Sequence, residues 1–460
     1  MINNYLEIIQ EQLELMVNST LYDECESISV GLTGSQENIK QVNSVIKGHS
    51  KINVEYHSEN LRDFEFKTLG CLFKDSLTQE PFYSFYIHTK GCSFPQNKGG
   101  KVWRDYMNHY VITRWKDNIV NLDNGYDTSG VKLLSDDKPP AYLTHYSGNF
   151  WWAKSDYIKR LPDIFKVRIE DRFQAEFWIG RGAPKATSLC QRHIDYGVTD
   201  DFVPGRILVH TLGFNVPSEI EDATALLYDK NDENDFEHTI VDLSFPLEKG
   251  DVYPKSVEKS VANNTKRLND ICDRFGSNYV KLPNVGVSQN WTAITRYLNP
   301  TENDIIIGAD PDERVYEEGW LNAMATVLRC NDKIAIVSLM IPDHVEILTP
   351  DKYKEVFIGG VRCWFIKGHL NWGLIGISGR FLNLIGEVPY PKDAPKYGWL
   401  EAELEVLLRQ YDLKWVVLPD YKEYHTENNK IYREWKNDCV YNVKKGQIDF
   451  TEWLNKKING

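Results

Sequence analysis

Asp310 and Asp312 flank Pro311 directly after Ile305, Ile306, Ile307, Gly308 and Ala309. Three β-branched residues closed by a glycine predict a short buried strand. Proline fixes its own φ and stiffens the turn, so both carboxylates can be held on one side of it. Two carboxylates about 5 Å apart repel by roughly 3 kcal/mol at an effective dielectric of about 20, and by under about 1 kcal/mol in water. A partly buried pair therefore wants a proton or a cation. Oxygen ligands at a strand end suit Mg2+ or Mn2+, ions that keep positions open for substrate phosphates. The strand's carboxyl end is also where open α/β sheets bind ligands. The competing assignment is an aspartate-rich turn that only caps the next helix.

Other residues of the same half invite chemistry. Glu401 and Glu403 open a predicted helix running to Gln410, where a fixed carboxylate can deprotonate a hydroxyl. His425 follows a predicted strand at 414–418; a neutral imidazole there can complete a metal site, or be structural. Asp242 ends the predicted strand 237–243 and can accept from a uracil N–H or a ribose hydroxyl, or cap a helix. Gly286, Ser288 and Asn290 open another helix. Gly286 permits close backbone approach, and the helix N-terminus favours a phosphate or a polar base edge. Trp372 and Gly373 lie in a Gly-rich stretch, 357–385, that suggests a loop facing an acceptor.

The first half repeats the arrangement with different groups. A strong predicted strand, 82–87, ends in His88-Thr89-Lys90-Gly91. An imidazole and an ammonium suit an anion, because an ammonium neutralises a phosphate without metal; the alternative is a solvated lysine beside a structural histidine. Trp151 and Trp152 follow Ser147-Gly148-Asn149, where small residues admit a flat ligand and the rings can stack on it. The alternative is an aromatic core segment. Glu170 and Glu176 sit beside aromatics, as bases raised by burial or as helix surface charges.

The elements that must position these groups alternate. Helices are predicted at 4–17, about 36–47, 66–76 and 102–122, with strands at 27–32 and 52–56. After a boundary in 190–204 come strands at 206–212, 224–228 and 237–243, a helix at 256–275 and a strand at 333–341. Strands alternating with helices indicate doubly wound sheets. The expected division is 1–198 and 199–460, and 460 residues suffice for two to three domains.

Composition excludes some classes. A net charge of −13 argues against nucleic acid as a general partner, though not against a nucleotide held by a metal or a local cation. The eight cysteines are scattered, with no Cys-x-x-Cys, which fits a reducing cytoplasm. The N-terminal stretch reads as an acidic amphipathic helix rather than a signal peptide. No apolar run approaches the roughly 20 residues that span a bilayer, so any membrane role is expected to be peripheral.

The order in residues 206–425 resembles the family 2 glycosyltransferases of the GT-A fold. It runs from a strand-end Asp through Gly-x-Ser-x-Asn, Asp-x-Asp and a Gly-rich acceptor loop to Tyr-Gly-x-x-acidic-x-acidic and a late His. The resemblance implies that Asp242 binds the base. Asp310 and Asp312, with His425, would hold Mn2+ or Mg2+ against the diphosphate of a nucleotide sugar, which the resemblance implies is UDP-linked. Glu401 would activate the acceptor hydroxyl in an inverting displacement. Leu400 stands where an acidic residue is usual, which leaves Glu401 and Glu403 both open as the base. Residues 80–180 are similar to a domain of bacterial proteins that build capsular or O-antigen polysaccharide, on Phe-Tyr-Ile-His-Thr-Lys-Gly, Trp-Arg-x-x-Met and His-Tyr-Ser-Gly-Asn-Phe-Trp-Trp-Ala-Lys. The implied fold is two Rossmann-like GT-A-type α/β domains, each a mostly parallel sheet flanked by helices. The first would need no metal, with His88 and Lys90 on the nucleotide sugar, Glu176 as base and the two tryptophans on the acceptor. The acceptor would be a glycan or lipid-linked glycan. In the alternative reading, the first half is a non-catalytic glycan-binding module.

Overall fold

The computed structural model describes residues 4–63, 65–92, 98–134, 144–167, 173–191, 202, 204–213, 217–243, 255–282, 287–342, 352–366, 374–386 and 400–426; the side chains of 234, 255–263, 287–289 and 400–402 lie outside that set. The chain is mixed α/β and forms two compact units, residues 1–203 and 204–460.

In the first unit, β1 (Ile28–Thr33) and β2 (Ile52–Ser58) pair in parallel. The helix Gln36–Ile46 between them is capped by Ser35, whose side chain accepts from Asn38 N. A second sheet joins β3 (Tyr83–Tyr86), β4 (Thr128–Gly130), β7 (Trp151–Lys154) and β8 (Ala186–Ser188) in the order β3-β7-β4-β8. A ribbon of β5 (Leu133–Leu134) and β6 (His145–Tyr146) stands apart. Only β4 and β8 of the four-stranded sheet run parallel; β7 is antiparallel to both neighbours. The described strands of this unit thus do not make the expected mostly parallel sheet. Cross-strand aromatic pairs fix the antiparallel register. Phe85 faces Trp152 with ring centroids 5.0 Å apart, and Tyr86 stacks on Trp151 at 5.3 Å. The predicted helix 102–122 is also broken. Lys98–Asn108 passes through a π turn at His109–Thr113 into Trp115–Asp123, and buried Asn118 donates to Tyr110 O at 2.7 Å across the break.

The second unit is built on one ten-stranded sheet. Its parallel part is β11 (Asn278–Lys281), β10 (Glu237–Asp242), β9 (Ile207–Gly213) and β12 (Ile305–Ala309), in that order. Then β17 (Ile375–Ser378) runs antiparallel to β12 and to β14 (Ile334–Met340). The long β18 (Lys414–His425) lies parallel to β14 and is followed by an edge hairpin of β15 (Tyr353–Ile358) and β16 (Val361–Ile366). The short β13 (Glu313–Val315) pairs antiparallel with the far end of β18.

Both faces of β9, β12 and β14 are covered, which is why they read as unbroken apolar runs. Ile305 and Ile307 pack with Trp320, Met324 and Leu328 of the helix Trp320–Cys330, while Ile306 packs with Trp291 and Ile294 of the helix Val287–Leu298. Residues 224–228, expected as a strand, belong to the helix Pro217–Lys230. Its buried Ile220, Thr224 and Leu227 recur at helical spacing, and a short apolar run does not by itself distinguish the two states.

Trp291 reaches β12 because position 308 has no side chain: a Cβ there would stand 2.0 Å from the Trp291 ring. Gly308→Ala is therefore expected to destabilise the unit by about 1–3 kcal/mol through overpacking. Urea unfolding followed by tryptophan fluorescence measures this; an unchanged midpoint would contradict the fit.

Candidate functional site

β12 delivers the chain to Asp310 at the carboxyl end of the parallel strands, and β13 then turns back along β18. The register pairs Glu313 with His425, Arg314 with Tyr424 and Val315 with Glu423. Strand alternation therefore puts Glu313, Glu423 and His425 on one face of this ribbon. One ligating atom from each of these three lies within 4.8 Å of the other two. His425 Nε2 is 3.1 Å from Glu423 Oε1, and its Nδ1 is 3.9 Å from Asp312 Oδ2.

The turn is tied from several sides. Asp310 N donates to Glu313 Oε2 at 2.8 Å, and Leu374 N to Glu423 Oε2 at 2.9 Å. The buried Arg314 donates to Pro311 O and Glu313 O, both at 2.8 Å, and pairs with Glu219 at 3.0 Å. Thr426 donates its N–H to Asp312 O at 2.8 Å and its hydroxyl to Glu219 at 3.2 Å. Supports of this kind hold ligands in orientation.

Electrostatically the cluster is under load. Glu423 is fully buried and Glu313 nearly so, and Glu313 Oε1 has no hydrogen-bond partner. Burial, then Glu423, Asp310 and Asp312, push the Glu313 carboxyl well above its ordinary range. Contacts with Asp312 and Glu423 raise His425 to about 10, against the opposing effect of burial. A buried carboxylate oxygen lacking a partner, beside further oxygens and one imidazole, fits a hard divalent ion such as Mg2+ or Mn2+.

The structure places His425 Nδ1 3.9 Å from Asp312, with Asp310 on the same turn, while the three residues grouped closely enough to share an ion are Glu313, Glu423 and His425. Glu313 and Glu423 were not anticipated. The signals were present: Glu313 directly follows Asp-Pro-Asp, and Glu423 stands one strand period before His425. Asp242 is a correction. It is fully buried, and its Oδ2 accepts from Tyr279 OH at 2.7 Å and Thr265 Oγ1 at 3.0 Å, so it ties β10 to β11 and the helix Lys255–Phe275 instead of facing a base. Asn290 is buried beside Trp291. Glu403 is buried in the helix Leu400–Gln410. Gly286, Trp372 and Gly373 lie outside the described residues, as do the side chains of Ser288 and Glu401.

In the first unit, His88 and Glu176 converge on one turn. His88 Nε2 bonds Gly148 O at 3.0 Å, its Nδ1 lies 3.6 Å from Glu65 Oε1, and Gly148 N donates to Glu176. Asn149 donates to Glu65, and the turn carries left-handed backbone at Gly148 (φ 90°) and Asn149 (φ 59°). Glu176 is therefore a brace for this turn, which removes the ground for reading it as a base. Trp151 and Trp152 are 0% and 4% exposed and lie within the core, out of reach of an acceptor. Lys90 is half-buried, and its carbonyl accepts from Arg104 Nη1 at 3.1 Å. Glu170 lies outside the described residues.

A family described as a domain of unknown function (DUF8361) matches residues 2–177. No curated protein matches the chain. Among solved structures, the chain is similar to a mannosyltransferase from Pyrobaculum calidifontis in complex with GDP-Man and Mn2+, at 13% identity and TM-score 0.35 over 56% of this chain and 68% of that one. It is similar to S. aureus TarS at 12% identity and TM-score 0.33, over 55% of this chain and 42% of TarS. It is also similar to glucosyl-3-phosphoglycerate synthase from Mycobacterium tuberculosis in complex with Mn2+, UDP and glucosyl-3-phosphoglycerate, at 16% identity and TM-score 0.33 over 55% and 80% of the two chains. Likenesses of this size leave the chemistry to be argued from the residues.

With its pKa raised in the fold, His425 contributes stability that is full below about 6.5 and lost as pH rises through about 10. Imidazole NMR on metal-free protein is expected to show a titration near 10, moved back toward 6.5 by Glu423→Gln. A wild-type midpoint at 6.5 would contradict the geometry.

Proposed function

We propose that residues 204–460 transfer a sugar from a nucleotide-sugar donor, UDP-linked, to a glycan or lipid-linked glycan acceptor. The observation that carries this reading is the strand-end cluster: Glu313, Glu423 and His425 beside Asp310 and Asp312, at the carboxyl ends of parallel strands. The order of motifs across residues 206–425 supports it.

Asp312, Glu313, Glu423 and His425 would hold Mn2+ or Mg2+, with Asp310 shaping the turn through its backbone bond to Glu313. A divalent ion there would supply positive charge for the departing nucleoside diphosphate. The chain's own residues do the rest. The Arg314–Glu219 pair keeps the turn fixed, so no reorganisation is needed as charge develops. Glu401 or Glu403, in the helix Leu400–Gln410, takes the proton of the acceptor hydroxyl in an inverting displacement.

For residues 1–203 the observations favour a non-catalytic role, since His88 and Glu176 are spent on the Gly148 turn. The physiological product on this reading is a bacterial surface polysaccharide, capsule or O-antigen, made in the cytoplasm at the inner membrane face. None of the described cysteines forms a disulfide, which suits a reducing compartment. No described helix is long and apolar enough to cross a membrane.

A panel of nucleotide sugars assayed for transfer or hydrolysis is expected to yield an active donor with Mn2+ present and none in EDTA. Asp312→Ala and Glu423→Gln should each lower turnover by about a hundredfold or more while the fold is kept. Full activity in EDTA, or wild-type turnover in both variants, would reject the proposal.

A further inference from the structure

β9 carries an imidazole where its neighbours on the same face are apolar. Leu208, His210 and Leu212 alternate onto one side of the strand, beneath the helix Val287–Leu298. His210 is 0% exposed, and neither ring nitrogen has a hydrogen-bond partner among the described residues. Trp291 meets it at an angle of 78°, with ring centroids 4.5 Å apart. Level with His210 on β12 is Gly308, against which Trp291 also rests; level with it on β10 is Thr239, fully buried with an unpartnered hydroxyl of its own.

This space accepts a neutral ring and resists a charged one. An imidazolium presents two N–H donors, and here neither nitrogen meets an acceptor, so the charge would be both dehydrated and unpaired. The elements packed around the ring bring little to offset that. β12 contributes Gly308, two positions before Asp310, and the helix Val287–Leu298 contributes Trp291, with Arg296 exposed in its last turn. The helix Pro217–Lys230 covers the other face, where Ile220 reaches Gly213. His238 of β10 is the ionisable group whose charge acts on His210, and it too opposes the proton. Burial, then His238, hold the His210 imidazole down at about 3. Such a group contributes stability that is complete above about 6.5 and is lost as pH falls from there toward 3. In that window His425 already gives its full contribution, and Glu313, with its raised carboxyl, works in the opposite sense.

We propose that His210 is a proton-sensitive latch: while neutral it seats the helix Val287–Leu298 on β9 and β12, and taking up a proton releases that helix from the sheet. The inference does not depend on the transferase reading. Because β12 ends at Asp310, release also frees the strand that carries the acidic turn, so mild acid loosens the site from beneath. His238 adds to the response only when the sheet itself opens. It lies on the other face, 2% exposed, with its ring nitrogens bonded to Thr211 and Ser277.

The test is amide hydrogen exchange on the full chain in EDTA at pH 7.5 and pH 5.0, with rates corrected for the intrinsic effect of pH and read in peptides covering 290–298. Wild type is expected to show the opening equilibrium of this helix rising about thirtyfold or more between the two conditions, and His210→Phe and His210→Leu a rise about thirtyfold smaller. The comparison cancels the effects of Glu313 and of every other group common to the three proteins. Nitrogen NMR of the imidazole in wild type keeps the proposal testable if neither variant folds: His210 is expected to stay neutral in the closed state at pH 5.0. Unchanged protection of 290–298 in wild type, an equal rise in either folded variant, or a His210 ring that titrates near 6.5 with the helix still closed would each overturn the latch.

Discussion

Repulsion among carboxylates held out of water is what the second unit is built to contain. Glu313 and Glu423 are almost without solvent, and Asp310 and Asp312 stand close enough to raise Glu313 further. In a protein interior an uncompensated charge of this kind costs several kcal/mol. The fold answers with backbone N–H groups at Asp310 and Leu374 and with the cationic form of His425. The compensation is incomplete, since Glu313 Oε1 is left without a partner. Such an arrangement costs stability in the metal-free protein, and a bound cation would relieve it.

The rest of the unit can be understood as the frame that makes this tolerable. Parallel strands buried on both faces bring β12 to the site with a defined end, and Trp291 over Gly308 locks the strand against its helix. β18 is long because it serves successive partners within one sheet: its first residues lie beside β14, and its last residues hold β13. Arg314 and Glu219 form a partly buried ion pair that joins the turn to the helix Pro217–Lys230. The first unit shows the same device on a smaller scale. Its left-handed turn at Gly148 and Asn149 is held by His88, Glu65 and Glu176, groups that sequence alone invites one to read as reactive.

What was legible in the chain follows from which physical signals are local. β12, β10, β9 and the turn at Asp310 could be read, because unbroken β-branched runs ending in glycine or aspartate are strong local patterns. The helix at 217–230 was hidden, since Ala-Leu-Leu-Tyr suits either state and only the spacing to Ile220 decides. Glu423 was missed because the strand was expected to stop at 418, whereas pairing with β13 carries it to His425. That pairing joins residues more than a hundred positions apart. The antiparallel sheet of the first unit was missed for a similar reason: partners such as Phe85 and Trp152 are distant in sequence. Trp151, Trp152 and Asp242 suggest surface roles by their aromatic and acidic types, while burial, which decides the matter, is a tertiary property.

Crystals of the full chain grown with Mn2+, and diffraction recorded at the manganese edge, address the central claim most directly. The account predicts one strong anomalous peak among Glu313, Glu423, Asp312 and His425, at bonding distances of about 2.1 Å. A well-ordered map with no peak there, or with the ion bound elsewhere and this cluster unchanged, would contradict it.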